Sequence, residues 1–118
     1  MNGQGRRDSG VTAAAWSVTA SATLHLVGAV TSGFTVEGLI LLPVVTLYIV
    51  FAYFLRRSVR WLAYFVFLCM WIGAIGSWIA SGSAVSVPVW IYYGISVCDG
   101  LAAVSLLLAL WRDPAQVR

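Results

Sequence analysis

Lysine is absent from this chain of 118 residues, and charge of either sign is scarce: 7 arginines, 4 acidic residues and 1 histidine. Charged residues make up 9% of the total, whereas soluble globular chains run near a quarter. That shortage excludes a water-soluble domain and a disordered tail. It also excludes a nucleic-acid binder, which needs a wide basic face. Cysteine is limited to Cys69 and Cys98, both inside apolar runs. With no CxxC spacing and no neighbouring Cys or His, a structural zinc site and a thioredoxin-like motif are excluded. As small hydrophobes the two need no further role.

Apolar surface is what the chain has in abundance. Hydrophobic residues make up 61% of it, and the mean hydropathy is +0.92. A single small core in water has no room for so much apolar surface, so the solvent is lipid. Four stretches approach the ~20 residues that a helix needs to span about 30 Å of hydrocarbon: 11–31, 38–55, 61–80 and 89–111. They read as helices because they are long and continuous, without alternation of period two. In lipid, backbone groups must also be satisfied within each segment or in a closed barrel. The expected fold is an all-α integral membrane protein, a compact four-helix bundle forming one domain over 1–118. No linker or repeat divides it, and the short polar tails 1–10 and 112–118 are expected to be loosely ordered.

The arginines orient this bundle. Arg6 and Arg7 precede helix 1, Arg56, Arg57 and Arg60 separate helices 2 and 3, and Arg112 and Arg118 follow helix 4. The connections 32–37 and 81–88 contain no basic residue. By the positive-inside rule both termini are cytoplasmic, in the cell membrane, here read as a bacterial inner membrane. Arg56, Arg57 and Arg60 act as topology determinants and as candidate contacts for anionic lipid headgroups.

Helix 1 is the weakest span, its six aliphatic residues diluted by Ala, Ser, Thr and His. Ala20-Ser21-Ala22 has the form of a signal-peptidase site, but the preceding VTAAAWSVT is a poor apolar region, so the segment reads as a span. Asn2 stands where myristoylation needs glycine, and no CaaX box is seen. Aromatic residues cluster near both ends of the spans, as interfacial belts do. Pro43, inside helix 2, predicts a local kink, and Pro88 suits the start of helix 4.

Ser17, Ser21 and His25 recur at four-residue spacing, with Gly28 further on, forming one stripe on helix 1. Helix 3 carries Cys69, Gly73, Ser77 and Ser81, and Gly76 with Ala80; helix 4 carries Ser96 and Gly100. Such stripes let helices approach closely and hydrogen-bond within lipid, with a hydrophilic path along helix 1 as the functional alternative. Asp99 is the least ordinary residue. Ten positions from Val89, it lies roughly 15 Å into the bilayer, where a carboxylate costs about +2.5 to +3.5 kcal/mol to insert. His25 lies at matching depth, about 12 Å from the same surface. The two are candidates for a buried polar pair, either proton-responsive or a fixed clasp between helices 1 and 4. A protonated Asp99 bonded to a Ser or Tyr hydroxyl is the further structural alternative. Glu37, at the outer start of helix 2, suits the positive end of that helix.

No P-loop, nucleophile elbow, HExxH helix or dinucleotide fingerprint is present. One histidine cannot supply both axial ligands of a six-coordinate haem within one chain, and no cofactor, metal or nucleic-acid partner is expected. Size and helix count resemble the small multidrug-resistance transporters. That family relies on a carboxylate in its first helix, and residues 11–32 contain neither Asp nor Glu. Phage holins are similar in being short, multi-spanning and basic at the tail, but they need no central Asp beside a His. The residues favour a non-enzymatic accessory or interaction subunit, self-associating or bound to a larger membrane protein. The alternatives are a small oligomeric proton-coupled transporter or channel using Asp99 and His25 and, more remotely, a phage holin-like protein.

Overall fold

The computed structural model describes residues 2–57 and 60–112, with side chains over 10–57 and 61–111. Among the described residues every regular element is helical: α1 (Asn2–Thr31), α2 (Val36–Leu39), α3 (Leu41–Arg56), α4 (Arg60–Ser81) and α5 (Val89–Arg112). Four apolar stretches long enough to cross a membrane result, at Gly10–Thr31, Val36–Arg56, Trp61–Ser81 and Val89–Trp111. Each begins and ends within two residues of the span expected from the sequence. The N-terminal tail differs from expectation. Residues from Asn2 onward continue α1 rather than lying loosely ordered, because adding a residue to an existing helix needs no new nucleation.

Burial follows helical periodicity. On α1 the buried positions are Val11, Ala14, Ala15, Val18, Ser21, Ala22, His25 and Ala29. On α5 they include Ile91, Ile95, Asp99, Ala102, Leu106 and Ala109. Steps of three and four keep each set on one face. The polar content that made α1 look weak is absorbed locally. Thr19, Thr23 and Thr31 each donate their hydroxyl to the carbonyl four residues back, which satisfies those three donors within the helix itself.

α1 ends in a Schellman motif, with Phe34 N–H bonded to Ala29 O and Gly33 N–H to Val30 O. Gly33 takes the left-handed conformation (φ +73°) that this motif requires. The expected kink at Pro43 is a break. Helix 2 of the sequence divides at Ile40 into α2 and α3. Proline has no N–H to offer Leu39 O, and its ring crowds that carbonyl.

The helices stand antiparallel to their neighbours. α1 packs against both α3 and α5, and α5 also packs against α4. Gly10 lies against Ala109, and Gly28 against Ile91 and Leu41. α3 and α4 follow one another in the chain, yet their backbones approach closely at few positions. Large side chains fill the space between them, with the Phe51 and Phe65 rings crossing edge to face at 5.8 Å. Backbone packing therefore runs α3–α1–α5–α4, with α3 and α4 as the outer members.

Buried apolar residues form two clusters. The larger spans Val11, Val18, Phe51, Leu55, Val66, Met70 and Leu106; the smaller joins Leu41, Val87, Ile91, Tyr92 and Ile95. On α5, Ile95 belongs to one and Ala102 to the other, and Asp99 lies at the junction.

Candidate functional site

Every long helix contributes to a polar cluster at that junction. Ser21 and His25 sit one turn apart on α1 and share a face. Asp99 on α5 is fully buried, as is Ser21, and His25 is 5% exposed. The Tyr48 hydroxyl, from α3, donates to Asp99 Oδ2 at 2.8 Å. The Tyr48 ring meets His25 edge to face at 5.1 Å between centroids and stacks on Phe51 at 6.1 Å. α4 contributes Gly73, where a Cβ would collide with Asp99 Oδ2 and with the Tyr48 hydroxyl. The missing side chain is what admits the Tyr48–Asp99 hydrogen bond.

His25 Nδ1 lies 2.6 Å from Ser21 O. A carbonyl only accepts, so the neutral ring carries its proton on Nδ1 and leaves Nε2 as the acceptor. No hydrogen bond or ion pair joins His25 to Asp99 among the described residues; Tyr48 touches both. Two buried atoms, Ser21 Oγ and Asp99 Oδ1, have no hydrogen-bond partner.

The other stripe residues have different surroundings. At Gly28 a Cβ would meet Leu41 Cδ1 at 2.9 Å and Ile91 Cγ2 at 3.3 Å, so that glycine permits close approach of α1 to its neighbours. Ser96 Oγ donates across to Ala74 O at 2.9 Å, linking α5 to α4. Ser17 and Ser77 are half-buried. Around Gly100, as around Gly76, no atom lies within 4 Å of a Cβ position, so neither mediates packing within this chain. Glycines the sequence did not single out do so instead: Gly10 against Ala109, and Gly94 against Leu24.

At the Glu37 end, Thr35 caps α2, its hydroxyl accepting from Gly38 N–H at 3.4 Å. The Glu37 carboxylate turns away from its own helix to the connection between α4 and α5. It accepts from Ser86 N–H at 2.7 Å, Val85 N–H at 3.1 Å and the Ser86 hydroxyl at 3.0 Å. The Tyr92 hydroxyl donates to its other oxygen at 2.8 Å. Tyr92 is buried, and Glu37 satisfies its hydroxyl. At the opposite end the Arg56 guanidinium lies over the Trp16 ring, 5.1 Å from its centroid. Arg57 lies over Tyr53 at the same distance and donates to its hydroxyl at 2.8 Å. The Arg60 side chain lies outside the described residues, as do those of Arg6, Arg7, Arg112 and Arg118.

Tyr48 is the cluster member that the sequence did not single out. The available signal was its depth: twelve residues from Val36, a phenol sits about 18 Å along the helix, far from the interface where tyrosine ordinarily anchors. The arrangement can fasten four helices together and can hold or pass a proton. No family model, curated protein or solved structure matches the chain.

Proposed function

We propose that this chain is a four-span protein of a bacterial inner membrane, with both termini cytoplasmic. Its work is non-enzymatic association, as an accessory subunit of a larger membrane protein or with further copies of itself. One observation carries this reading: the sparse backbone packing between α3 and α4. Each of these outer helices has one close-packed helical neighbour, and α4 presents Trp61, Leu68, Ile72, Ile75 and Ile79 outward. A further transmembrane helix can pack on that outward face of α4 without displacing any existing contact, and van der Waals packing is what drives such association in lipid. The test combines the mass of the complex purified in mild detergent with cross-linking in the membrane from Ile72→Cys and Ile79→Cys. The expected result is an assembly larger than one chain, cross-linked through α4. A monomer that cross-links to nothing overturns the reading.

A second reading, a small oligomeric proton-coupled transporter or channel, is favoured by the unpartnered Asp99 Oδ1 beside Ser21 Oγ. An ionisable group within the membrane marks a proton path by default. Proton flux into vesicles that depends on Asp99 supports it; its absence from an oligomer of confirmed mass removes it.

A further inference from the structure

Counting donors and acceptors around Asp99 leaves a deficit that one proton removes. An ionised carboxylate only accepts, and a buried one needs several donors or a paired cation. The structure supplies one donor, the Tyr48 hydroxyl on Oδ2. The neighbouring cation candidate, His25, has its Nδ1 on Ser21 O, and no arginine or lysine lies between positions 61 and 111 or between 8 and 55. The other titratable groups nearby are Cys69 on α4 and Cys98 on α5, both neutral as thiols. If Asp99 were ionised, Oδ1 would be a fully buried anionic oxygen with no donor in ordinary hydrogen-bond geometry, the adjacent Ser21 hydroxyl included.

We infer that the junction of the four helices is a binding site for a single proton, carried on Asp99 Oδ1 and directed at Ser21 Oγ. The neutral acid has one O–H to donate and one carbonyl oxygen to accept. Tyr48 occupies the acceptor. The Ser21 hydroxyl faces the carboxyl group without closing a bond of ordinary geometry; a proton on Oδ1 supplies the missing link. Ser21 then turns its own hydroxyl hydrogen to the carbonyl one turn back, the usual outlet for serine in a membrane helix. Both orphan atoms are satisfied by one O–H bond, formed with a proton taken from water, and no other bond changes. Gly73 is part of the site, because any larger residue there displaces Tyr48 from Oδ2. The site stands apart from the association reading: a fixed bundle retains this proton, whereas a transporter exchanges it.

The test is infrared spectroscopy of the chain carrying Asp8→Asn and Asp113→Asn, grown with carbon-13-labelled aspartate, so that Asp99 is the only labelled carboxyl group. Measured in phosphatidylglycerol vesicles at neutral pH, the label is expected in a protonated-carboxyl stretch rather than in a carboxylate band. Ser21→Ala and Tyr48→Phe are each expected to move that stretch to higher frequency, since each removes one hydrogen bond from the acid. Circular dichroism and the elution volume in detergent establish that both variants fold. A label found only in the carboxylate band at neutral pH overturns the proposal. So does a protonated band that Ser21→Ala leaves unmoved. Proton flux, read separately on the same vesicles, bears on the transport reading alone.

Discussion

At the scale of single residues, the Tyr48–Asp99 bond concentrates the consequences of substitution. Tyr48→Phe leaves a fully buried carboxyl group with no protein donor, at an expected cost of about 1–3 kcal/mol. Asp99→Asn keeps the shape and an acceptor oxygen. Because the two side chains share one bond, the double variant is expected to cost less than the sum of the single ones. His25 touches Tyr48 by its ring edge, so its coupling to Asp99 runs through Tyr48. A His25→Ala and Asp99→Asn cycle is expected to show smaller non-additivity than the Tyr48 cycle. Unfolding in detergent by titration with a denaturing surfactant reads all three. Equal coupling in the two cycles contradicts the intermediate position of Tyr48. Three glycines supply a sharper contrast. Gly73→Ala drives a methyl group into Asp99 Oδ2 and the Tyr48 hydroxyl, an overpacking worth roughly 1–3 kcal/mol of destabilisation. Gly76→Ala and Gly100→Ala place the same methyl group in open space and are expected to stabilise their helices by about 0.5–1 kcal/mol.

At the scale of elements, Pro43 and Glu37 act on the same short stretch. The break at Ile40 sets α2 off from α3, and α2 carries the carboxylate that holds the 82–88 connection. Glu37→Ala removes the acceptor for two backbone amides and two hydroxyls. Hydrogen exchange at Val85 and Ser86 is expected to quicken by about tenfold, equivalent to ~1.4 kcal/mol of protection. Glu37→Gln retains one acceptor oxygen and is expected to lie between. If exchange at those amides does not change, the carboxylate does not hold the connection. Pro43→Ala restores the N–H that Leu39 O lacks and is expected to fuse α2 with α3, seen as a slowly exchanging amide at position 43.

At the scale of the whole molecule, the proposed orientation rests on one charge asymmetry. Arg6, Arg7, Arg56, Arg57, Arg60 and Arg112, the arginines among the described residues, fall at one end of the antiparallel bundle by their positions in the chain, and Glu37 lies at the other. A cysteine at Ser58→Cys is expected to react with a membrane-impermeant thiol reagent only from the cytoplasmic side, and Ala84→Cys only from outside, in a background with Cys69→Ala and Cys98→Ala. Reversed labelling sinks the proposed orientation. The packing order α3–α1–α5–α4 makes a related point about cohesion. The junction cluster draws members from all four long helices, including α3 and α4, whose backbones make few close approaches. Loss of Tyr48 is therefore expected to loosen the α3 side first, with exchange quickening in α3 before α5.

The four long apolar helices and the matching levels of Asp99 and His25 along them were legible in the amino-acid order, because each depends on quantities that run along the chain. Length and hydropathy set a span, and depth follows from 1.5 Å of rise per residue. The position of Pro43 likewise announced a local event, since a missing N–H acts on the residues beside it. What meets what across the bundle was not legible in that way. Contact between helices depends on the rotation of each about its axis and on which helix stands next to which, and the sequence states neither. Asp99 and His25 share a depth, yet Tyr48 from α3 supplies the hydrogen bond to the carboxyl group, and His25 turns back to Ser21 on its own helix. Glu37 begins a helix, yet its carboxylate serves the connection to α5. Gly73 and Gly76 are one turn apart in the same kind of motif, and only Gly73 faces a neighbour. Four helices of similar apolarity can be arranged in several orders with nearly equal burial, so tertiary packing alone selects the partners of the few polar groups among them.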